Sequence, residues 1–242
     1  MGNEYYAPGS QRAAKVSDLF ARIARRYDLI NDLQSFGLHR RWKRHVVELA
    51  GVQAGVKALD VCCGTGDLAF VLAARGAETT GLDFSAEMLA VAAERRAKRA
   101  DSLRGKLQFL QGDALKLPFE METFDVVTVG YGLRNLADWR TGLAEMLRVL
   151  RPAGRVIVLE FGKPDMALWR WLYFSYLRLC VPLMGLLFCG NPSAYAYILE
   201  SLKHYPAQHG VAAGMREMGL VEVRIVNFLG GAMTINFGRK PG

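Results

Sequence analysis

The chain has 242 residues, 51% of them hydrophobic, which is enough for one well-buried core. Its 31 Lys and Arg residues outnumber its 23 Asp and Glu residues, and the net charge of +8 is compatible with nucleic acid, an anionic membrane surface or no specific partner. No low-complexity linker interrupts the sequence, so composition argues against a second domain and predicts a single one over residues 1–242.

Residues 1–10 are polar and lack the apolar run of a secretory signal, which predicts a cytoplasmic protein. The cysteines Cys62, Cys63, Cys180 and Cys189 lack the paired spacing of a zinc site, and two adjacent ones in a strand do not suit a disulfide framework. We therefore expect all four to be buried small apolar residues in a reducing compartment.

Two helices are predicted within residues 12–49, before the first strand. Apolar residues recur at helical spacing over residues 12–31 with arginines between them, which predicts an amphipathic helix with a basic outer face. A second helix over residues 39–49 places Trp42, Val46 and Leu49 on one side. Both helices should flank the sheet or cover it.

A glycine turn follows the first predicted strand, residues 57–62. Gly64 and Gly66 allow a tight turn and close approach of a ligand, and Asp83 ends the next strand about 20 residues on, where a carboxylate can bind both ribose hydroxyls. The spacing is typical of a nucleotide site, although Ala69 also completes a dinucleotide pattern. An ordinary strand-to-helix turn is the alternative.

The charges beside this turn favour S-adenosylmethionine over a nicotinamide dinucleotide. A pyrophosphate would lie at the start of the following helix, where Asp67 and the nearby Asp60 would repel it. S-adenosylmethionine has no phosphate, and its ammonium and sulfonium groups would be attracted by the same carboxylates.

Strands and helices alternate from residue 57 to residue 161, which predicts a parallel sheet covered on both faces. The core continues over residues 209–239, where strands at 221–228 and 232–239 flank Leu229-Gly230-Gly231 as a hairpin, so the last strand should be antiparallel. This α/β arrangement resembles the Class I S-adenosylmethionine-dependent methyltransferases, which have a Rossmann-like fold. The lack of a second dinucleotide-type half after residue 161 counts against a dehydrogenase.

An aromatic and apolar insertion occupies residues 162–206. Its uncharged part, residues 179–190, is too short to span a bilayer and is interrupted by Pro182. We expect a helical cap over an apolar substrate or a helix at a membrane interface, with a buried lid that binds nothing as the alternative.

The ends of four strands supply candidate cofactor ligands. Asp83 would bind the ribose and Phe84 the adenine face, Asp113 would accept the adenine amino hydrogens beside the Ala114 N–H, and Gly130 would leave room under the methionine. The full set is Gly64, Thr65, Gly66, Asp83, Phe84, Asp113, Ala114 and Gly130.

Several motifs resemble the ubiquinone/menaquinone biosynthesis C-methyltransferases over residues 16–239. They are residues 27–32, residues 35–44, Gly132-Leu133-Arg134-Asn135, residues 148–155 and Leu159-Glu160-Phe161. Two positions depart from the family pattern: Gly130 stands where serine is frequent, and Ala153 replaces the first glycine of a Pro-Gly-Gly turn. Residues 60–66 and 81–85 are closer to the menaquinone members.

The resemblance implies methylation of a ring carbon of a polyprenylated hydroquinone, in the first place demethylmenaquinol to menaquinol, with the benzoquinol step of ubiquinone biosynthesis as the alternative. The methylation reaction that the resemblance implies requires no metal. Arg134 would stabilise the phenolate or order a water, with a surface ion pair to Asp138 as the alternative, and Asn135 would orient the same group. Tyr27, His39 and Tyr131 are candidates for the substrate side, and His39 is also a candidate for relaying the proton.

Interactions beyond the substrate are also expected. The apolar insertion and the basic first helix favour peripheral contact with the inner face of a membrane, and a homodimer is left open. The basic runs at residues 40–44 and 95–99 suggest a nucleic-acid-binding module as an alternative class, but no stacking platform accompanies them and we expect no nucleic acid partner. A scaffold without catalytic activity is a third alternative.

Overall fold

The computed structural model describes residue 5 and residues 11–99, 103, 106–189 and 192–242. The prediction made for residues 1–10 lies outside these residues, apart from Tyr5. The helices are α1 (Gln11–Ile23), α2 (Tyr27–Ser35), α3 (His39–Ala50), α4 (Asp67–Ala74), α5 (Ala86–Ala97), α6 (Trp139–Val149), α7 (Ala167–Cys189), α8 (Pro192–His204) and α9 (Ala207–Glu217). The strands are β1 (Lys57–Val61), β2 (Glu78–Asp83), β3 (Leu107–Gln111), β4 (Phe124–Gly130), β5 (Leu150–Phe161), β6 (Val221–Phe228) and β7 (Met233–Arg239).

The strands form a seven-stranded sheet in the order β3-β2-β1-β4-β5-β7-β6. The first five strands in this order pair in parallel, and β7 is antiparallel to both of its neighbours, which confirms the predicted fold class. Side chains of β1 and β4 such as Leu59, Val61, Val127 and Val129 are fully buried, as a sheet covered on both faces requires. The carboxyl ends of β1, β2 and β4 therefore lie together at one edge.

The region before the sheet differs in detail from the prediction. The single helix expected over residues 12–31 is divided by a 3₁₀ turn at Ala24–Arg26, and α2 continues to Ser35. Arg12 does not lie on a basic outer face: it is buried, and its guanidinium donates to the carbonyls of Arg134 and Asn135. Helix α1 is thus anchored beside the carboxyl end of β4.

The insertion is helical, as predicted, and consists mainly of α7 and α8, which pack against each other. Pro182 does not end the apolar helix, because α7 continues through it. Proline removes one backbone hydrogen bond, but the buried Leu177 and Val181 on the same helix keep it packed on the core. Within the described residues, no helix has the length and apolar content needed to cross a bilayer.

The cysteines are partly as expected. Cys62 and Cys63 are free thiols at the end of β1, and burial raises the pKa of each. Cys180 is exposed on α7, so the prediction that it is buried is wrong. The side chain of Cys189 is outside the described residues.

Candidate active site

Asp83 holds together the loop after β1 and the start of α5. Its Oδ2 accepts a hydrogen bond of 2.7 Å from the Gly64 N–H, and its Oδ1 accepts one of 2.9 Å from the Ser85 N–H. Burial raises the pKa of Asp83 in spite of these bonds. Each carboxylate oxygen has a second lone pair, so the group can still accept hydrogen bonds from a ligand.

A cavity lies at the carboxyl edge of the sheet, next to Asp83, and we call it the sheet-edge cavity. Most of the predicted cofactor ligands line it, namely Gly64, Asp83, Phe84, Asp113, Ala114 and Gly130. Apolar side chains such as Leu82 and Met88 complete the wall, and α1 covers it with Val16 and Phe20. A helix here was expected to flank or cover the sheet, but its place over this cavity was not predicted, because periodicity shows an apolar face without showing what that face covers.

Thr65 and Gly66 do not line this cavity. The Thr65 hydroxyl is buried and donates to Asp28 on α2 over 2.7 Å. An added Cβ at Gly66, where φ is +84°, would lie 2.7 Å from the Phe109 ring, so this glycine serves the packing of the turn. Both residues shape the loop from behind.

The carboxylates that were expected to attract the cofactor are engaged elsewhere. Asp67 pairs with Lys43 over 2.8 Å and also with Arg95, which hold its pKa below the ordinary value against the effect of burial. Asp60 is buried beneath the strand ends, where it accepts a 2.8 Å hydrogen bond from Thr128. Neither residue lines the sheet-edge cavity, so the charge argument for the cofactor was wrong in its physical basis.

Two further predicted positions differ in their surroundings from what was expected. Tyr27, predicted on the substrate side, lines the sheet-edge cavity and not the apolar cavity, and burial raises its pKa to about 12; its role stays a prediction. Gly130 was expected because bulk would not fit, yet an added Cβ would be 3.8 Å from Leu68, an ordinary contact. Protein atoms alone therefore do not require glycine at this position.

A second cavity, which we call the apolar cavity, lies between α2, α3, α7 and the β6–β7 connection. Its wall includes Trp42, Phe161, Trp169, Leu172, Tyr173, Leu177 and Met233, together with the predicted residues His39 and Tyr131. The Trp169 indole N–H donates to the Leu229 carbonyl over 2.8 Å, and the Tyr173 hydroxyl donates to the Ala232 carbonyl over 3.1 Å. These bonds fasten the helical cap to the sheet.

Tyr131 belongs to the walls of both cavities. It follows β4 directly and has a φ of +61°, a left-handed conformation that is rare for a side chain of this size. Its hydroxyl is buried without a hydrogen-bond partner among the described residues, and burial raises its pKa. A strained residue with an unsatisfied donor between two cavities indicates a functional position.

Arg134 is buried behind this tyrosine and lines neither cavity. Its guanidinium donates to Glu160 over 3.0 Å and to the Tyr131 carbonyl over 2.6 Å. The surface ion pair with Asp138 is wrong, because Asp138 caps α6 instead. Glu160 was not predicted, although it stands in one of the quoted motifs.

Asn135 lines the sheet-edge cavity, but its amide group is already engaged within the protein. The amide N–H donates to the Tyr131 carbonyl over 3.0 Å, and the amide oxygen accepts from the Tyr197 hydroxyl over 3.1 Å. Arg134 and Asn135 therefore converge on one carbonyl and fix the backbone of Tyr131.

His39 begins α3 and is only 3% exposed. Its Nε2 lies 2.8 Å from Oδ1 of Asp32, whose other oxygen accepts from Arg40 over 2.6 Å. Burial, followed by the charge of Lys43, lowers the pKa of His39. The ring is therefore neutral at neutral pH.

One basic residue of each run is used inside the molecule, whereas Arg41, Arg44 and Lys98 are exposed. Arg95 pairs with Asp28 and Asp67, and Lys43 is buried against Asp67. These contacts weaken the alternative of a nucleic-acid-binding surface, which needs cations that are free to reach phosphates.

Comparisons with known proteins agree with this geometry. The model of the ubiE/COQ5 methyltransferase family matches residues 9–240. A demethylmenaquinone methyltransferase from Desulfitobacterium hafniense is 42% identical, covering 96% of this chain and 92% of the relative. The ubiquinone/menaquinone biosynthesis C-methyltransferase UbiE of Pseudomonas paraeruginosa is 41% identical, covering 97% and 92%.

Solved structures share the fold at lower identity. A putative S-adenosylmethionine-dependent methyltransferase from Methanococcus maripaludis aligns with a TM-score of 0.66 and 20% identity, covering 93% of this chain and 94% of that one. A methyltransferase from Aquifex aeolicus aligns with a TM-score of 0.57 and 18% identity, covering 81% and 88%.

Proposed function

Since the chain belongs to the ubiE/COQ5 methyltransferase family, as its motifs predicted, we propose that it methylates a ring carbon of a polyprenylated hydroquinone with S-adenosylmethionine as the methyl donor. The preferred reaction is demethylmenaquinol to menaquinol, after the activity named for the relative from Desulfitobacterium hafniense. The name of the Pseudomonas relative covers both quinones, which keeps the benzoquinol step of ubiquinone biosynthesis as the second candidate.

The observation that carries this proposal is the pair of cavities that meet at Tyr131. One has carboxylates and backbone groups at strand ends, which suits a nucleoside, and the other is almost wholly apolar, which suits a ring with a prenyl chain. Methyl transfer requires the donor and the acceptor carbon to be in contact and in line. Tyr131 borders both cavities, so the two bound molecules would lie next to each other on this side chain, and the transfer requires an opening beside it.

The sheet-edge cavity has a set of groups that fits S-adenosylmethionine. The Asp83 carboxylate can accept from both ribose hydroxyls, Phe84 can lie against the adenine, and Asp113 with the Ala114 N–H can recognise the adenine edge. When bound, the cofactor supplies an electrophilic methyl group on a sulfonium. The residues of the chain position it and exclude water.

Arg134 and Asn135 act in this proposal as positioning residues. Because both donate to the Tyr131 carbonyl, they hold the left-handed turn that places the Tyr131 ring between the cavities. The Arg134 guanidinium lies 4.9 Å from the centre of the Phe161 ring, which lines the apolar cavity, and its ion pair with Glu160 balances most of its charge there.

The outer side of the cap suits contact with a membrane. Apolar side chains are exposed along α7, including Trp171 at 64%, Leu179 at 67% and Leu183 at 55%. Phe36, Leu229 and Leu172 of α7 are also exposed and line the apolar cavity, so exposed apolar side chains border this cavity. A hydroquinone with a prenyl chain could then pass from lipid into the cavity. Location in the cytoplasm and a homodimer stay predictions.

Vesicle flotation tests the membrane contact. Trp171→Glu combined with Leu179→Glu should reduce binding to anionic vesicles, because charged side chains do not enter the lipid interface. Met121→Glu is the matched control, since Met121 is equally exposed but precedes β4, at the opposite edge of the sheet. Equal flotation of all three proteins would refute the contact.

The function itself is tested by incubating the protein with methyl-labelled S-adenosylmethionine and a chemically reduced demethylnaphthoquinone or benzoquinol precursor. Mass analysis should find the label in the ring of the quinol and not in an O-methyl ether. No labelled quinol from either precursor would refute the proposal.

A further inference from the structure

We propose that His39, held by Asp32, is the catalytic base that accepts the phenolic proton of the substrate. This inference rests on the proposed function and names the proton acceptor within that site. It differs from a role in substrate contact alone, because it requires a free ring nitrogen, a fixed tautomer and a neutral imidazole.

The hydrogen bond to Asp32 fixes the tautomer of His39. Asp32 faces Nε2 at 2.8 Å, and a carboxylate can only accept, so Nε2 carries the ring proton. The pKa of Asp32 is lowered, first of all by this hydrogen bond, so Asp32 remains a carboxylate. Nδ1 of the neutral ring therefore has a free lone pair.

The surroundings of Nδ1 leave this lone pair without a partner in the protein. Nδ1 has less than 1 Å² of accessible surface and no hydrogen-bond partner among the described residues, while the His39 side chain is part of the wall of the apolar cavity. A buried polar atom without a partner is costly, so its retention calls for a function. A hydroxyl of a hydroquinone would satisfy it when the entering ring displaces the side chains that cover Nδ1.

Hydrogen bonds hold His39 in a fixed position. The backbone N–H of His39 donates to the Ser35 hydroxyl over 3.3 Å, and that hydroxyl donates to the Asn31 carbonyl over 2.5 Å. Together with the bond to Asp32, these contacts fix the ring at the junction of α2 and α3. A base held in one orientation loses little entropy when it takes the proton.

The charged groups around His39 keep it neutral before the reaction and tolerate its charge during it. Lys43 on the same helix lowers its pKa, whereas Asp32 on α2 and Asp67 on α4 raise it, and Arg40 pairs with the far oxygen of Asp32. Burial outweighs the raising effects, so the pKa lies below 6.5.

Other titratable residues of the apolar cavity are unsuited to this role. Burial raises the pKa of Tyr131, Tyr173 and Tyr176, so their hydroxyls keep their protons at neutral pH. Arg134, which lies outside this cavity behind Tyr131, also stays protonated, since the charge of Glu160 raises its pKa against the effect of burial. Among the described residues that line this cavity, His39 is thus the natural proton acceptor.

The phenolic O–H proton moves to Nδ1, and the imidazolium is stabilised by Asp32. The ortho carbon of the ring forms a bond to the methyl carbon as the bond from that carbon to sulfur breaks, and its electron pair stays on sulfur. The ring carbon then loses its hydrogen as a proton to water while the His39 imidazolium returns its proton to the oxygen, so one proton is released to solvent overall.

The test compares His39→Ala, His39→Gln and Asp32→Asn with wild type, using reduced demethylnaphthoquinone over a range of pH. General base catalysis is worth about 10²–10⁴-fold, so kcat of both His39 variants should fall by about that factor with unchanged affinity for S-adenosylmethionine. Added imidazole should restore part of the activity of His39→Ala. His45→Gln, on the same helix but paired with the exposed Glu48, should match wild type.

The pH profile separates a base from a structural residue. Wild-type kcat should fall as the pH is lowered through the pKa of His39, below 6.5, because the imidazolium cannot accept a proton. Asp32→Asn should move this fall in kcat to lower pH, since loss of the carboxylate lowers the pKa of His39. If His39→Gln shows the same fall in kcat at low pH, or a kcat within about tenfold of wild type, the proposal is overturned. If wild type itself methylates no quinol, the proposed function fails first and this inference with it.

Discussion

Replacing Asp83 with Asn should weaken the binding of S-adenosylmethionine while leaving the fold intact. The carboxylate joins Gly64 on the glycine loop to Ser85 at the start of α5 through two backbone N–H bonds. An amide has one oxygen, so the variant can accept only one of these bonds, and its NH₂ group points at the other donor.

The magnitude follows from the groups that lose their partner. A hydrogen bond to a charged group contributes about 1.5–3 kcal/mol. The Asn amide is uncharged, so its hydrogen bonds to the ribose hydroxyls are weaker, and it has one acceptor oxygen fewer than the carboxylate. A loss of about 3 kcal/mol corresponds to an increase in Kd of about 100-fold. The effect on stability should be smaller, since burial raises the pKa of Asp83 and removal of a buried charge offsets part of the lost bonding.

Isothermal titration calorimetry with S-adenosylmethionine measures this change, and circular dichroism checks the fold. Glu87→Gln is a matched control, because Glu87 is a neighbouring carboxylate that accepts from the Ser85 hydroxyl over 2.9 Å and lies outside the sheet-edge cavity. If Asp83→Asn binds within about threefold of wild type, a difference below 1 kcal/mol, the assignment of the ribose site is wrong.

Three further changes test the packing around the site. Burial raises the pKa of Asp60 to about 7, above the 3.8 of an unfolded Asp, so wild type should lose stability relative to Asp60→Asn as the pH rises towards 7. Urea unfolding should show a slope of up to about 1.4 kcal/mol per pH unit, and a difference independent of pH would contradict it. Ala153→Gly should stabilise the protein by about 1 kcal/mol, because Ala153 has a φ of +59°; a lower Tm would count against this. Arg134→Met should lower the free energy of unfolding by about 3–5 kcal/mol, because the buried Glu160 carboxylate loses its partner. Adding Glu160→Gln should recover most of this loss in chemical denaturation, and no recovery would argue against the ion pair.

The sequence predicted the strand ends well, because their signals are local. Apolar runs ended by Gly64, Asp83 and Gly130 mark where parallel strands stop, and parallel pairing necessarily brings those ends to one edge. The alternation of strands and helices likewise predicted a parallel sheet with helices covering both faces. These features need no knowledge of distant contacts.

The parts that were predicted wrongly depend on packing between distant segments. Asp67 has the position of a cofactor ligand in the sequence, but Lys43 on α3 and Arg95 on α5 reach it in the fold. Arg134 was expected at the surface or in the cavity, and its partner Glu160 is 26 residues away. Nothing in the local sequence reports such pairs.

The division into two cavities could not be predicted either. Tyr27 and His39 belong to adjoining helices and were both assigned to the substrate side, but the turn at residues 35–38 directs them to different cavities. Phe36 has a φ of +50° in that turn, a conformation that the residue type does not suggest.

The most direct test of the account is a structure of the ternary complex with S-adenosylhomocysteine and the quinol substrate. We expect the sulfur in the sheet-edge cavity and the quinol ring in the apolar cavity, with Tyr131 beside both and a phenolic oxygen at Nδ1 of His39. A quinol ring bound away from the apolar cavity, or the nucleoside bound away from Asp83, would contradict it.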